Sequence, residues 1–244
     1  MEKILAAISV IIPVYNEEAT VEEIIGRVKS SLKEYRLEII VVDDGSRDRT
    51  GLILDTLKYR GQIKLVRHDH NRGKGEAIKS ALKEISGEIT VIQDADLEYD
   101  PKDLSKLIGE MSDSRIQVVY GSRNLNAANR SGYWPFLWGG KFLSYLTSIL
   151  FGQRLTDINT GYKVFRTSLL KSLNLRSSGF DFCEEVTAKV LRRGITIKEV
   201  PITYNPRKFS EGKKIGAIDG LYAILTLLKY RFKFDREQTS SILR

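Results

Sequence analysis

Glu38-Ile39-Ile40-Val41-Val42-Asp43-Asp44-Gly45-Ser46 is the stretch on which the reading of this chain turns. Glu38 to Val42 is a nearly unbroken β-branched run without polar alternation, the pattern of a strand covered on both faces. Two carboxylates, a glycine and a serine follow at once. Helical spacing resumes at Asp48 and runs to Tyr59.

Working outward, the same unit repeats. Ile8 to Val14, Ile63 to Arg67, Ile89 to Gln93 and Gln117 to Tyr120 read as further strands. Ala19 to Tyr35, Gly73 to Ile85 and Pro101 to Met111 read as helices between them. Asp48 and Asp100 suit N-cap positions, the second with Pro101 at the first helical position. This alternation predicts an α/β fold, a Rossmann-like, mostly parallel sheet wound by helices. Ligands of such sheets lie beyond the carboxyl ends of the strands. Polar residues crowd there: Tyr15-Asn16-Glu17, Asp43-Asp44-Gly45-Ser46 and Asp94-Ala95-Asp96.

After Gly121 the regularity breaks. An aromatic segment, Tyr133 to Phe151, leads to a strand at Tyr162 to Phe165, a helix from Glu184 to Arg193 and a strand at Thr196 to Val200. An amphipathic helix from Ile215 to Phe234 closes the chain, giving a catalytic domain over 1–214 and a helix with tail over 215–244. The apolar run Ile4 to Val14 after Lys3 looks like a signal peptide, but no small-residue cleavage site follows it, and it reads as the first strand. No stretch has the ~18–20 uninterrupted apolar residues of a spanning helix. The single cysteine, Cys183, forms no intramolecular disulfide, has no zinc spacing around it, and reads as a small half-buried residue of a protein in a reducing compartment.

Asp94 and Asp96 flank a small residue at a strand end. Two hard oxygen donors with Glu98 nearby suit Mg2+ or Mn2+ holding a diphosphate. Asp43 and Asp44 can accept hydrogen bonds from a base N–H or a ribose hydroxyl. In Asn71-Arg72-Gly73-Lys74-Gly75 the glycines and the following helix start favour an anion, although the spacing is not that of a Walker loop. His68 and His70 read as surface or turn residues. The net charge is +8, and Thr203 to Arg244 holds nine Lys/Arg against four Asp/Glu, so this tail favours an anionic partner.

Ile11-Ile12-Pro13-Val14-Tyr15-Asn16-Glu17-Glu18, Val41-Val42-Asp43-Asp44-Gly45-Ser46 and Asp94-Ala95-Asp96-Leu97 together resemble family 2 glycosyltransferases with a GT-A fold. Gly121-Ser122-Arg123, Thr160-Gly161-Tyr162-Lys163-Val164-Phe165-Arg166 and Tyr204-Asn205-Pro206-Arg207, followed by Gly212-Lys213-Lys214, narrow the resemblance to the dolichol- and polyprenyl-phosphate mannose or glucose synthases. It runs from about Ile8 to Phe234. The resemblance implies inverting transfer of a sugar from a nucleotide diphosphate sugar to a polyprenyl or dolichyl phosphate. GDP-mannose is its first choice of donor, with UDP-glucose or UDP-N-acetylglucosamine behind.

Carried over, Pro13, Tyr15, Glu17, Asp43 and Asp44 line the nucleoside pocket; Arg72 and Lys74 join the expected substrate-binding residues through their anion-favouring loop. Asp94, Asp96 and Glu98 serve the metal; some relatives have Gln where this chain has Glu98. Arg123 meets the acceptor phosphate, with Arg130 a second contact. Arg207 and Lys214 clamp the donor diphosphate, with the neighbouring Lys213 as the alternative to Lys214. Asp96, Arg123, Arg207 and Lys214 are thus the expected catalytic set. An anionic acceptor needs little help from a base, but two phosphates meeting need cations, and arginine forks suit phosphate oxygens. Glu184-Glu185 would supply a base only for a hydroxyl acceptor and otherwise form a helix's first turn.

Tyr133 to Trp138, and Ile218, Leu221, Leu225, Leu228 and Phe232 with the basic Lys229, Arg231 and Lys233, suit seating in an anionic leaflet. The expected enzyme is therefore peripheral, on the cytoplasmic face of a membrane. Two rival readings remain: a glycosyltransferase acting on a saccharide hydroxyl, and a nucleotide- or nucleic-acid-binding protein without catalysis. Exposed stacking aromatics do not interleave the basic residues, which argues against nucleic acid as a partner.

Overall fold

A computed structural model describes residues 6–129, 134–207 and 217–232. Seven strands form one sheet: β1 (Ala7–Val14), β2 (Arg36–Asp43), β3 (Lys64–Arg67), β4 (Ile89–Ile92), β5 (Val118–Ser122), β6 (Lys163–Arg166) and β7 (Ile197–Pro201). Their order is β3-β2-β1-β4-β6-β5-β7. Pairing is parallel from β3 through β4 and again between β5 and β7, while β6 runs antiparallel to both its neighbours. The expected mostly parallel sheet is present, and β6 is the exception to it.

Among the described residues the helices are α1 (Val21–Ser31), α2 (Thr50–Tyr59), α3 (Lys74–Ala81), α4 (Leu104–Glu110), α5 (Trp134–Phe151), α6 (Thr167–Ser172), α7 (Phe182–Arg192) and α8 (Ala217–Phe232). A 3-10 turn, Pro101–Asp103, leads into α4, and Asp100 caps it by accepting from Lys102 N at 3.1 Å. The unbroken apolar strands divide by alternation. Ile8, Val10, Ile12 and Val14 of β1 join one core with α1, α2 and α4, while Ile11 joins a second core with α3, α7 and α8. That two-sided burial is why β1 and β2 show no polar alternation.

The aromatic segment forms a helix, α5, although Pro135, Gly139 and Gly140 interrupt its pattern. Proline is tolerated in the first helical turn, where its missing N–H has no partner to lose. Trp138, Phe142, Tyr145 and Ile149 repeat along α5 and are all more than half exposed. α8 buries Ala223, Leu227 and Tyr230 against the second core and exposes Leu221, Tyr222, Leu225 and Phe232. Of the apolar stripe read from the sequence, Leu221, Leu225 and Phe232 thus lie on α8's outer face and Leu228 is half-buried. Among the described residues no helix is long and apolar enough to cross a membrane.

Register decides what reaches the ligand edge. Ile92 pairs with Lys163, so β6 begins where β4 ends. The segment before β6 therefore shares one edge with the residues after β1, β2, β4, β5 and β7.

Candidate active site

Asp44 is buried at the end of β2, and His68 Nδ1 lies 2.6 Å from its Oδ1. Its two oxygens also accept Arg72 N at 2.9 Å and Gly73 N at 2.8 Å. Three of the roughly four acceptor positions of a carboxylate are thus filled by the protein. Asp43 is equally buried but accepts only Ser46 N at 3.0 Å and Arg67 Nε at 3.1 Å. Beside it opens a cavity of about 470 Å³ lined by Ser46, Arg47, Asp55, Arg67 and His70, large enough for a nucleoside. Asp43 keeps the greater free capacity toward that cavity, and Asp44 shapes the Arg72-Gly73 turn. His68 is not a surface residue: Asp44 and Ser80 Oγ, at 2.8 Å, take up both its ring nitrogens, which permits burial.

Past β1 the chain is tied to the α2 start. Asn16, at φ +54°, donates its N–H to Ser46 Oγ and accepts from Arg47 N. Glu17 N donates to Thr50 Oγ1 at 2.9 Å, and Asp48, which accepts from Thr50 N at 3.0 Å, also accepts from Glu18 N. Pro13 and Tyr15 are half-buried at this edge.

Beyond β4, Asp94 pairs with the Lys74 ammonium. Burial works against the charge on Lys74, but Asp94 together with Cys183 and Asp96 raises the ammonium's pKa. Asp96 is pushed up to about 7, first by burial and then by Asp94 and Glu98 beside it. Glu98, expected as a third metal ligand, accepts Tyr204 OH at 2.9 Å and Arg207 N at 3.0 Å while lying beside Asp96. Among the described residues no three acids, histidines or cysteines converge as a ready ligand set. Asp94 and Asp96 form a crowded, half-buried carboxylate pair, and a carboxylate raised to about 7 by desolvation and acidic neighbours is chemistry that a divalent cation relieves. Gly161 faces this pair; it donates its N–H to Tyr99 OH at 3.0 Å, and a Cβ there would overlap the Asp94 carboxylate.

The two described arginines of the expected catalytic set lie at the same edge, each in a carboxylate's grip. Arg207 puts its fork on Glu17, at 2.6 Å and 3.3 Å, and its Nε on Asp96 O at 2.8 Å. Arg123 forks onto Asp157 with two contacts of 2.7 Å and lies over the Tyr204 ring. Asp157 was not singled out from the sequence, since its partner lies 34 residues away and only folding joins them. Arg130, Lys213 and Lys214 lie outside the described residues. Glu184 and Glu185 do open α7, and both are buried.

A mostly parallel sheet with helices on both faces, whose carboxyl edge gathers a nucleoside-sized cavity, a carboxylate pair and phosphate-suited cations, defines a glycosyltransferase of the GT-A type. The chain belongs to glycosyl transferase family 2, whose model matches residues 9–173. It is 31% identical to dolichol-phosphate mannosyltransferase of Pyrococcus furiosus, over 97% of this chain and 68% of that one. Identity to undecaprenyl-phosphate mannosyltransferase of Micrococcus luteus is 32%, over 86% and 88% of the two chains. Identity to UDP-N-acetylglucosamine–dolichyl-phosphate N-acetylglucosaminyltransferase of Methanococcus voltae is 29%, over 91% and 94%. Among solved structures, glucosyl-3-phosphoglycerate synthase from Mycobacterium tuberculosis in complex with Mn2+, UDP and glucosyl-3-phosphoglycerate matches with a TM-score of 0.71 at 25% identity, covering 95% of this chain and 82% of that one.

Proposed function

We propose that the chain transfers a hexose, mannose before others, from a nucleotide diphosphate sugar to a polyprenyl phosphate, with inversion at the anomeric carbon. The observation that carries this is the meeting, at one edge, of the Asp94–Asp96 pair with Lys74, Arg207 and Arg123. A reaction between two phosphate-bearing substrates needs such cations more than it needs a base.

Asp43 and the cavity beside it take the nucleoside. Asp94 and Asp96 would hold Mg2+ or Mn2+, which supplies Lewis-acid neutralisation of the departing diphosphate. Lys74 sits beside that pair as a fixed positive charge. Arg207 leaves Glu17 for the diphosphate, exchanging one bidentate anion for another. Arg123, held in plane by Asp157, offers its outer edge to the acceptor phosphate. The acceptor oxygen, already anionic, displaces the nucleotide directly, so positioning and charge carry the rate. The exposed stripes of α5 and α8, with Lys141, Lys229 and Arg231, support seating on an anionic leaflet, from which a lipid phosphate is reached.

The deciding assay follows radiolabelled sugar from GDP-mannose, UDP-glucose and UDP-N-acetylglucosamine, each with Mn2+ and polyprenyl phosphate. An organic-extractable, mild-acid-labile product is expected. Label in a water-soluble product, without dependence on lipid phosphate, overturns the lipid acceptor and leaves only the glycosyltransferase class.

A further inference from the structure

Arg176-Ser177-Ser178, ahead of α7, lies across the start of α3. Arg176 O accepts from Lys79 Nζ and Ser178 O from Glu76 N, both at 3.1 Å. Glu76 N is one of the first-turn donors a helix cannot satisfy internally, so this segment caps α3. Contact is close enough to exclude side chains. A Cβ at Gly73 would lie 3.1 Å from the Ser178 carbonyl carbon, and one at Gly75 3.0 Å from that of Ser177. Gly73 also sits at φ +93°, where any other residue is strained. α3 opens with Lys74, whose ammonium pairs with Asp94.

The amides of the same segment point the other way, to Glu185. Its carboxylate accepts Arg176 N at 2.8 Å and Ser177 N at 2.6 Å. The peptide unit joining these residues is rigid and planar, so fixing the Ser177 N–H on Glu185 aims the Arg176 carbonyl at Lys79. Glu185 is fully buried and is also held by Lys189 Nζ and by Tyr230 OH, each at 2.7 Å. Tyr230 belongs to α8, and Lys189 lies over its ring.

We propose that Glu185 is a positioning residue for the donor site: it orients the 176–178 segment that caps α3 and so sets Lys74 against Asp94. Tyr230 ties that setting to the seat of α8. The inference rests on the donor-site reading above and adds to it a path from the helix with the exposed apolar face to the carboxylate pair. Glu185 needs no contact with the substrate to act. Groups that orient a ligand-bearing residue change ion affinity by roughly 10–100-fold when removed.

The test is calorimetric binding of UDP and of GDP in MnCl2 to the wild type, Glu185→Gln, Tyr230→Phe and Val186→Ala. Val186 is buried on the same helix and serves as the control for simple loss of packing. Mn2+-dependent binding of one nucleotide is expected for the wild type. It should weaken at least tenfold in Glu185→Gln and about threefold in Tyr230→Phe, which removes a single hydrogen bond. Val186→Ala should lower Tm and leave Kd within about twofold of wild type. If Glu185→Gln and Tyr230→Phe lower Tm but bind as Val186→Ala does, Glu185 only holds the fold and the proposal is overturned. Should Glu185→Gln not fold, an unchanged Kd in Tyr230→Phe overturns it alone. A wild type that binds neither nucleotide overturns the donor-site reading, and this inference with it.

Discussion

Gly161→Ala tests the carboxylate pair without touching a carboxylate. The new Cβ would overlap Asp94 Oδ2 and lie 3.0 Å from Asp94 Cγ and 2.9 Å from Tyr99 Cε2. Non-bonded heavy atoms settle at about 3.5–4.0 Å, so Asp94 or the glycine's backbone must give by about 1 Å or more. Tyr99 is buried and tilted against Tyr162 at a ring separation of 4.9 Å, so the displacement falls on Asp94. Overpacking of this kind costs about 1–3 kcal/mol of stability. The Lys74–Asp94 pair must shift as well. A misplacement near 1 Å in a catalytic constellation lowers turnover on the order of 10²-fold, about 2.7 kcal/mol of barrier. The assay is steady-state transfer against Mn2+ concentration, alongside urea unfolding to separate stability from turnover. A folded Gly161→Ala enzyme with the wild-type Mn2+ dependence and turnover would refute the placement of Asp94 in the machinery.

The remaining expectations concern the same edge and the apolar face. Asp96 has a folded pKa raised to about 7, so its contribution to stability is present at acid pH and is lost as pH rises through about 7. Mn2+ removes that penalty, and the Tm gain on adding Mn2+ should be larger at pH 8 than at pH 6; equal gains would contradict it. Arg207→Ala should lower turnover by roughly 10²-fold or more, with Arg207→Lys recovering little because an ammonium lacks the fork; near-normal kinetics in both would make it a surface charge. Arg123→Ala strands the buried Asp157 and should cost about 3–5 kcal/mol in denaturant unfolding while sparing nucleotide affinity. Leu225→Asp, at a half-exposed site, should weaken co-sedimentation with anionic vesicles and leave stability within about 0.5 kcal/mol. Unchanged sedimentation would remove α8 from the leaflet.

The first half of the molecule is legible from sequence because burial on two faces writes continuous β-branched runs, and each run ends in the polar turn that serves the site. Legibility fails where long-range pairing decides. Arg67 and Asp43, or Arg123 and Asp157, are joined only by the fold, and nothing in local pattern marks Asp157 as Arg123's partner. Glu98 reads as a ligand from its spacing to Asp96, but its bonds to Tyr204 and the Arg207 amide, more than a hundred residues on, leave no mark in the local sequence. His68 reads as polar and therefore exposed, whereas Asp44 and Ser80 satisfy it in the interior. α5 hides behind its proline and paired glycines, and the direction of β6 leaves no trace in a run as short as Lys163–Arg166.

That reversed strand has an evolutionary consequence. Every other connection at the ligand edge leaves a strand, and most lead toward a helix whose start is pinned by the substrate-facing turn. Changing the length of such a turn shifts the helix behind it. The approach to β6 enters the sheet instead, and the helix before it, α5, lies upstream rather than downstream. On the function proposed above, a change of length between Asn124 and Gln153 would fall on the side proposed for the acceptor and leave the turns after β1, β2 and β4 in register. On that proposal one scaffold would keep its donor grip and exchange acceptors, with Gly161, packed against Asp94 and Tyr99, as the point where a changed stretch must come back into step.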